Sequence, residues 1–147
     1  MKSLNAVFIL FILSFFVNTD SFAQCNAKLV DIAVGQNRGA TYMKDFRVKL
    51  PASQPGKPKP IARFKIMLNA GTHYRFNVAK AKEFAGAPVI QLYEGKRLLG
   101  TSYLASKDKD FKMFDFLCSK TTTYELIITF RNGKAGCAVA IMSLVQK

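Results

Sequence analysis

The sequence is poor in the residues that usually build a catalytic or metal centre. It contains no tryptophan, a single histidine and three cysteines among 147 residues. One histidine is too few for a metal site, which needs several converging ligands, so His73 is expected to be a solvated surface residue. The sequence also lacks a Walker glycine loop, a paired CxxC and an HExxH motif. The residues of the common phosphate-binding and zinc-binding motifs are therefore missing.

Other routes to catalysis lack a necessary partner. Ser102 lies in the string GTSYL, which lacks the second glycine of a nucleophile elbow. A cysteine nucleophile would need a free thiolate near His73. Aspartates at positions 108, 110 and 115 offer oxygen ligands for calcium, but lysines at 107, 109 and 112 bring repelling charge into the same loop. We therefore predict no catalytic residue, no metal site, no cofactor and no enzymatic activity.

Acidic residues are scarce. Nine Asp and Glu stand against 22 Lys and Arg, which gives a formal net charge of +13 at pH 7. Such a balance in a cytosolic protein would suggest nucleic acid as the partner. The export signal described next argues against nucleic acid and favours lipopolysaccharide, another anionic glycan or an envelope protein. The alternative, that the charge only keeps the domain soluble, stays open.

The longest apolar run lies at the N-terminus and is too short for a transmembrane helix. Residues 6–17 read AVFILFILSFFV, whereas a membrane-spanning helix needs about 20 residues. Lys2 precedes the run and the small-residue string SFA follows it, so we predict a signal peptide over residues 1–23 that is cleaved after Ala23. The mature protein would then be periplasmic or secreted and have no membrane span. An uncleaved anchor and lipidation of Cys25 are the alternatives, the second disfavoured because glutamine precedes the cysteine.

The odd number of cysteines predicts one disulfide and one leftover thiol in an exported protein. Cys118 is expected to end one strand and Cys137 to begin another, with a further strand over residues 124–130 between them. That strand would separate the two cysteines by about 20 Å, whereas a disulfide needs Cα atoms within about 7 Å. We therefore expect Cys25 to pair with one of the other two.

The mature chain, about 124 residues long, has the size of a single domain. We divide residues 24–147 into an N-terminal segment, 24–60, and a β core, 61–147. Within the first segment, residues 25–34 fit either a helix or a strand, and residues 42–50 alternate like a half-buried strand. Residues 51–60 (PASQPGKPKP) contain four of the five prolines and are predicted to be an exposed connector, because proline has no amide hydrogen for a central strand.

Residues 61–147 read as a succession of strands separated by turns. Apolar side chains alternate in residues 62–68, 74–78 and 124–130, which predicts strands with one buried face. EGK at 94–96 and Asn132-Gly133 are predicted hairpin turns, and residues 80–87 and 106–110 are predicted loops. The pattern indicates an all-β fold, a jelly-roll-like antiparallel β-sandwich of about seven to nine strands, with a barrel as the related alternative.

Three segments carry a resemblance to a known family. They are FKIMLNAGTHYRFNV (residues 64–78), IQLYEGKRLLG (90–100) and FDFLCSKTTTYELIITFRNGKAG (114–136). Their order of strands and turns resembles the bacterial pre-peptidase C-terminal domain and related small secreted jelly-roll proteins. Glu94 and Thr122 depart from the family's usual Asp and Gly. The resemblance implies a non-catalytic binding or structural module, and it supplies no catalytic residue.

The strand pattern also predicts a basic face. Five cations are expected to project outward from neighbouring strands and form one ligand-binding patch, namely Arg47, Lys49, Arg63, Lys65 and Arg75. Such a patch would attract polyanions in a salt-dependent manner. We therefore predict a non-catalytic exported binding module for an anionic envelope component or an envelope protein. The alternative is an accessory or structural subunit of an envelope assembly, which would dock through exposed apolar residues such as Met67 and Ile127.

Overall fold

The computed structural model describes Cys25 and residues 27–146, which form an antiparallel β-sandwich with one α-helix, as the predicted fold class requires. The predicted signal peptide, 1–23, and its cleavage lie outside the described residues. None of the described helices has the length and apolar character needed to cross a membrane. The elements in chain order are α1 (Ala27–Gly35), β1 (Ala40–Leu50), β2 (Ala62–Leu68), β3 (His73–Lys80), β4 (Pro88–Glu94), β5 (Arg97–Thr101), β6 (Tyr103–Leu104), β7 (Lys109–Asp110), β8 (Met113–Leu117), β9 (Thr122–Phe130) and β10 (Gly136–Val145).

Eight of these strands form two four-stranded sheets. The first sheet has the order β1-β10-β3-β8 and the second has the order β2-β9-β4-β5. The two-residue strands β6 and β7 pair with each other, and β7 lies in the predicted 106–110 loop. These two short strands bring the number described to ten, above the seven to nine predicted.

The alternation predicted from the sequence places the core between the two sheets. Leu126 and Ile128 are fully buried on β9, as Leu68 is on β2. The rings of Phe46 on β1 and Phe64 on β2 meet across the sandwich with their centroids 5.0 Å apart. Each fully buried aliphatic side chain contributes about 1.5–3 kcal/mol through removal of its surface from water, so this interior is the main source of stability.

The segment at residues 25–34, for which helix and strand were both open, is the helix α1. Leu29 and Ala33, four residues apart and therefore on the same helical face, pack on Val139 and Ile141 of β10. The buried amide of Asn77 on β3 donates a hydrogen bond of 2.8 Å to the carbonyl of Ala33, which satisfies one of the acceptors left open at a helix C-terminus. The helix thus covers part of the outer face of the first sheet.

A disulfide fixes the start of this helical segment. Cys25 is bonded to Cys137 on β10, with 5.9 Å between the Cα atoms, and Cys118 is free and buried. The predicted pairing of Cys25 with another cysteine is thereby confirmed. The bond also occupies the Cys25 sulfur that lipidation would require. A structural disulfide forms and persists in oxidising compartments, which supports the predicted export.

The turns fall into hairpins and crossings between sheets. The EGK turn joins β4 and β5 in the predicted hairpin, with Glu94 opposite Arg97. The hairpin predicted at Asn132-Gly133 is wrong, because β9 belongs to the second sheet and β10 to the first. Both turn residues have the positive φ that the motif favours, 59° and 61°, but the turn carries the chain from one sheet to the other.

The proline-rich connector lies outside the strands and is exposed, as predicted. It carries the chain from β1 in the first sheet to β2 in the second. Since β1 pairs along its length with β10, the strand before the connector belongs to the same sandwich as the strands after it. The boundaries at residues 24, 60 and 147 stay predictions.

Candidate functional site

The predicted basic patch is divided between two sheets. Arg47 and Lys49 lie on β1 and Arg75 on β3, in the first sheet, whereas Arg63 and Lys65 lie on β2, in the second. Because Phe46 and Phe64 meet in the core, the charged residues next to them in sequence point away from each other on opposite sides of the molecule. One continuous patch is therefore a wrong prediction, and the ligand-binding role of the five residues stays a prediction.

Carboxylates neutralise two of the cations on the edge strands. Arg47 Nε donates to Asp45 Oδ2 at 2.8 Å, and Arg63 Nη1 donates to Glu125 Oε2 at 2.9 Å. Lys49 lies over the ring of Phe84, 5.6 Å from its centroid. A polyanion bound at either arginine would have to compete with the carboxylate already there.

Arg75 belongs to a third ion pair, at the start of β3. Its Nε and Nη2 donate to the two oxygens of Asp115 at 2.6 and 2.8 Å, and Nη1 donates to the carbonyl of Arg38 at 3.1 Å. The hydrogen bond from Arg75 holds the pKa of Asp115 below its usual value, and the same bond raises the pKa of Arg75. His73 Nε2 lies 3.4 Å from Asp115 Oδ2, and its side chain is 36% exposed. The cluster joins β3 to β8, so its role in the described structure is to link two strands.

The residues weighed for calcium binding do not converge on an ion. Asp108 and Asp110 pair with Arg131, with N–O distances of 3.3 and 2.5 Å, while Asp115 pairs with Arg75 on the first sheet. Across the part of the chain that the structure describes, no three side chains of the metal-ligating types gather in one place.

The residues weighed as nucleophiles have structural partners. Ser102 is 2% exposed, and its Oγ accepts a hydrogen bond of 2.9 Å from the backbone amide of Ile90. Cys118 is 1% exposed, and its Sγ donates to the carbonyl of Lys120 at 3.2 Å. Tyr124 donates to that same carbonyl at 2.7 Å, and burial raises the pKa of Tyr124 to about 12. These groups hold the ends of strands together inside the fold.

Much of the outer side of the second sheet is exposed, and we call this part the open face; Val89, at the start of β4, points to the same side but is only 5% exposed. Within residues 27–146 the single α-helix packs on β10 and β3 of the other sheet. Met67 projects from the open face with 64% of its surface exposed. The strand register places Arg63 opposite Ile127 and Lys65 opposite Glu125. By the strand registers, the face comprises Arg63, Lys65, Met67, Gln91, Tyr93, Leu98, Thr123, Glu125 and Ile127.

A concave surface on the other side of the molecule, which we call the helix cleft, was not predicted from the sequence. It lies between α1 and the C-terminal end of β3, is open to solvent on one side and has a volume of about 780 Å³. Its floor is apolar and consists of Leu29, Ile32, Val78, Ala79 and Ala81. The one available signal was the unbroken apolar string CAVAIM in β10, since a strand that is apolar on both faces is typical of a sheet covered on both sides.

Comparison with known proteins supports the fold. No protein-family model matches this chain, and no curated protein matches it in sequence. Among solved structures, the chain is similar to the crystal structure of Aeromonas hydrophila PliG, a periplasmic lysozyme inhibitor of g-type lysozyme. The match covers 74% of this chain and 90% of the PliG chain, with a TM-score of 0.51 and 9% sequence identity. At that identity the likeness shows a shared β-sandwich fold, and the resemblance to the pre-peptidase C-terminal family stays a prediction.

Proposed function

We propose that the protein is a non-catalytic, exported binding module that docks a protein partner on the open face of its second sheet. The disulfide supports a periplasmic or extracellular location. A sandwich of similar fold, PliG, serves in the periplasm as an inhibitor of a protein, g-type lysozyme. A small sandwich without an active site can therefore perform its function through a surface alone.

The observation that carries the proposal is the residue composition of the open face. Arg63, Met67 and Tyr93 are of the residue types enriched in protein interfaces. Met67 is the most exposed apolar side chain on this face, at 64%, and Leu98 on β5, opposite Tyr93, is 45% exposed. Methionine adapts its flexible side chain to irregular partner surfaces, so a contact that covers β2 from Met67 to Arg63, which lies opposite Ile127 on β9, would bury apolar area that water now covers.

Charge on the open face favours a protein over a polyanion. Arg63 is paired with Glu125 at 2.9 Å, and Lys65 lies opposite the same carboxylate in the strand register. A polymer with charge of one sign would meet repulsion at Glu125, whereas a protein can present complementary charges of both signs. The net charge of +13 still acts at longer range and favours partners whose docking surface is acidic, since long-range attraction accelerates encounter.

Substitution of the most exposed apolar residue on the open face tests the docking site. Met67→Glu is expected to lower capture of the partner from envelope extract by at least tenfold, since it places a charge where apolar area would be buried. Leu117→Glu is the matched control, because Leu117 is 66% exposed but lies on β8 of the other sheet. Captured proteins would be quantified by mass spectrometry for wild type and both variants. Equal capture by wild type and Met67→Glu would exclude this face as the docking site.

Salt distinguishes this mode of binding from a charge-driven one. At about 0.5 M salt the Debye length falls to ~4 Å, so contacts made by exposed charges are largely screened. Capture that depends on apolar burial should persist under those conditions. Capture that disappears at 0.5 M salt and is unaffected by Met67→Glu would instead support an anionic glycan or lipopolysaccharide as the ligand.

A further inference from the structure

The helix cleft combines an apolar floor with a cationic rim. The disulfide and the packing of Leu29 and Ala33 hold α1 on β10. Ile32 of the helix lines the cleft and is 46% exposed. The volume of this open cleft, about 780 Å³, lies within the range of small-molecule sites, roughly 300–1,000 Å³.

Four lysines surround this floor. Lys28 comes from the helix, Lys80 from the end of β3, Lys82 from the following loop and Lys112 from the segment before β8. The single acidic residue among the lining side chains is Glu83. The rim therefore carries a net charge of +3 if all five groups are ionised.

These lysines differ from the arginines on the strands in having no carboxylate partner. Within the described chain, no ion pair is formed by Lys28, Lys80, Lys82 or Lys112. Like charges gathered around one opening repel each other, and the arrangement becomes favourable when an anion enters among them. Long lysine side chains also keep their methylene groups on apolar surface while the ammonium group stays at the rim.

We propose that the helix cleft binds a free, single-chain anionic amphiphile, with its acyl or alkyl chain on the apolar floor and its phosphate or carboxylate head among the four lysines. Charge complementarity and the apolar floor both favour this occupant. A purely polar anion would leave the floor in contact with water, and a neutral chain would leave the lysines unpaired. The site lies on the first sheet and is separate from the open face, so the inference goes beyond the proposed function.

Titration with matched amphiphiles tests the proposal. Dodecyl phosphate, kept below its critical micelle concentration, would be titrated into the purified exported protein in a calorimeter. Shortening the chain to decyl and octyl phosphate should weaken binding by up to about fourfold per methylene, equivalent to ~0.8 kcal/mol each. Dodecyltrimethylammonium, with the same tail and the opposite charge, should bind at least tenfold more weakly. Inorganic phosphate should show no binding at the same concentrations.

Variants locate the binding site. The double change Lys80→Gln/Lys82→Gln should weaken dodecyl phosphate binding by about 25-fold, since each lysine near an anionic head contributes ~1 kcal/mol. Ile32→Gln should remove most of the dependence on chain length. The matched control is Lys57→Gln/Lys59→Gln in the exposed connector, which should bind like wild type. Thermal melts would confirm that each variant is folded, as expected for exposed side chains.

Several outcomes would overturn the proposal. These are the absence of heat with monomeric dodecyl phosphate, equal binding of the cationic amphiphile, and equal losses in the connector control. Inorganic phosphate binding as tightly as dodecyl phosphate would reduce the cleft to a simple anion site. Adsorption to vesicles of phosphatidylglycerol without binding of the monomer would show a membrane-surface contact instead of a site for a free amphiphile.

Discussion

Loss of the Cys25–Cys137 disulfide is expected to destabilise the protein strongly. The two cysteines are 112 residues apart, so the bond closes a loop that contains most of the sandwich. For a loop of that length, the entropy removed from the unfolded chain corresponds to about 4.7 kcal/mol at 25 °C. Domains of this size have unfolding free energies of roughly 5–15 kcal/mol, so the disulfide would account for a third or more of the total.

The assay is equilibrium unfolding in urea, followed by circular dichroism, for wild type and for Cys25→Ser/Cys137→Ser. In thermal melts of the same two proteins, the melting temperature is expected to fall by about 15–20 °C, given an unfolding entropy near 2.1 cal/mol/K per residue. Reduction provides the control: a thiol reductant should bring the wild type to the stability of the double variant and leave the double variant unchanged. A difference below about 1 kcal/mol would refute the reasoning.

Three further predictions follow from the packing and the ion pairs. Gly136→Ala should destabilise the fold by about 1–3 kcal/mol in thermal melts, because the added Cβ would overlap the ring of Phe130. Gly35→Ala is the control: its Cβ would meet nothing within 4 Å, so it should change stability by less than 1 kcal/mol. Equal effects of the two substitutions would contradict this account. Asp115→Asn should cost about 1 kcal/mol at pH 7 in urea titrations. The pKa of Asp115 is depressed in the folded state, so its contribution is fully present above about pH 4, and the stability difference between the two proteins should shrink as pH falls below that value. Buried Cys118 should react with Ellman's reagent only after unfolding, and rapid labelling of the native protein would show the thiol to be accessible and would reopen the enzymatic reading.

The strand interiors could be predicted because burial imposes a local pattern. Phe64, Ile66, Leu126 and Ile128 alternate with polar residues, and the structure places all four on the inner faces of strands. Which strands pair could not be predicted from turns. Asn132-Gly133 favours the same backbone geometry whether the next strand returns beside β9 or enters the other sheet. Tertiary packing places that strand, β10, in the other sheet.

The candidate surfaces were harder to predict than the core. Alternation correctly indicated that Arg63 and Arg75 project outward, but it carries no information on the sheet to which each strand belongs. The neutralising partners, Glu125 and Asp115, lie 62 and 40 residues away in the sequence, so no local pattern connects them to the arginines. The helix cleft could be predicted only from the position of α1. Residues 25–34 are too few for their periodicity to distinguish a helix from a strand.

The strand order has a consequence for how the protein reaches its folded state. β1 is an edge strand whose neighbour is β10, the last strand of the chain. A chain that emerges from its N-terminal side exposes β1 long before β10. Pairings between such distant segments form slowly, and an exposed, unpaired strand is prone to association with other chains. Completion of the first sheet is thus expected to be a late folding step, during which an envelope chaperone would have time to act.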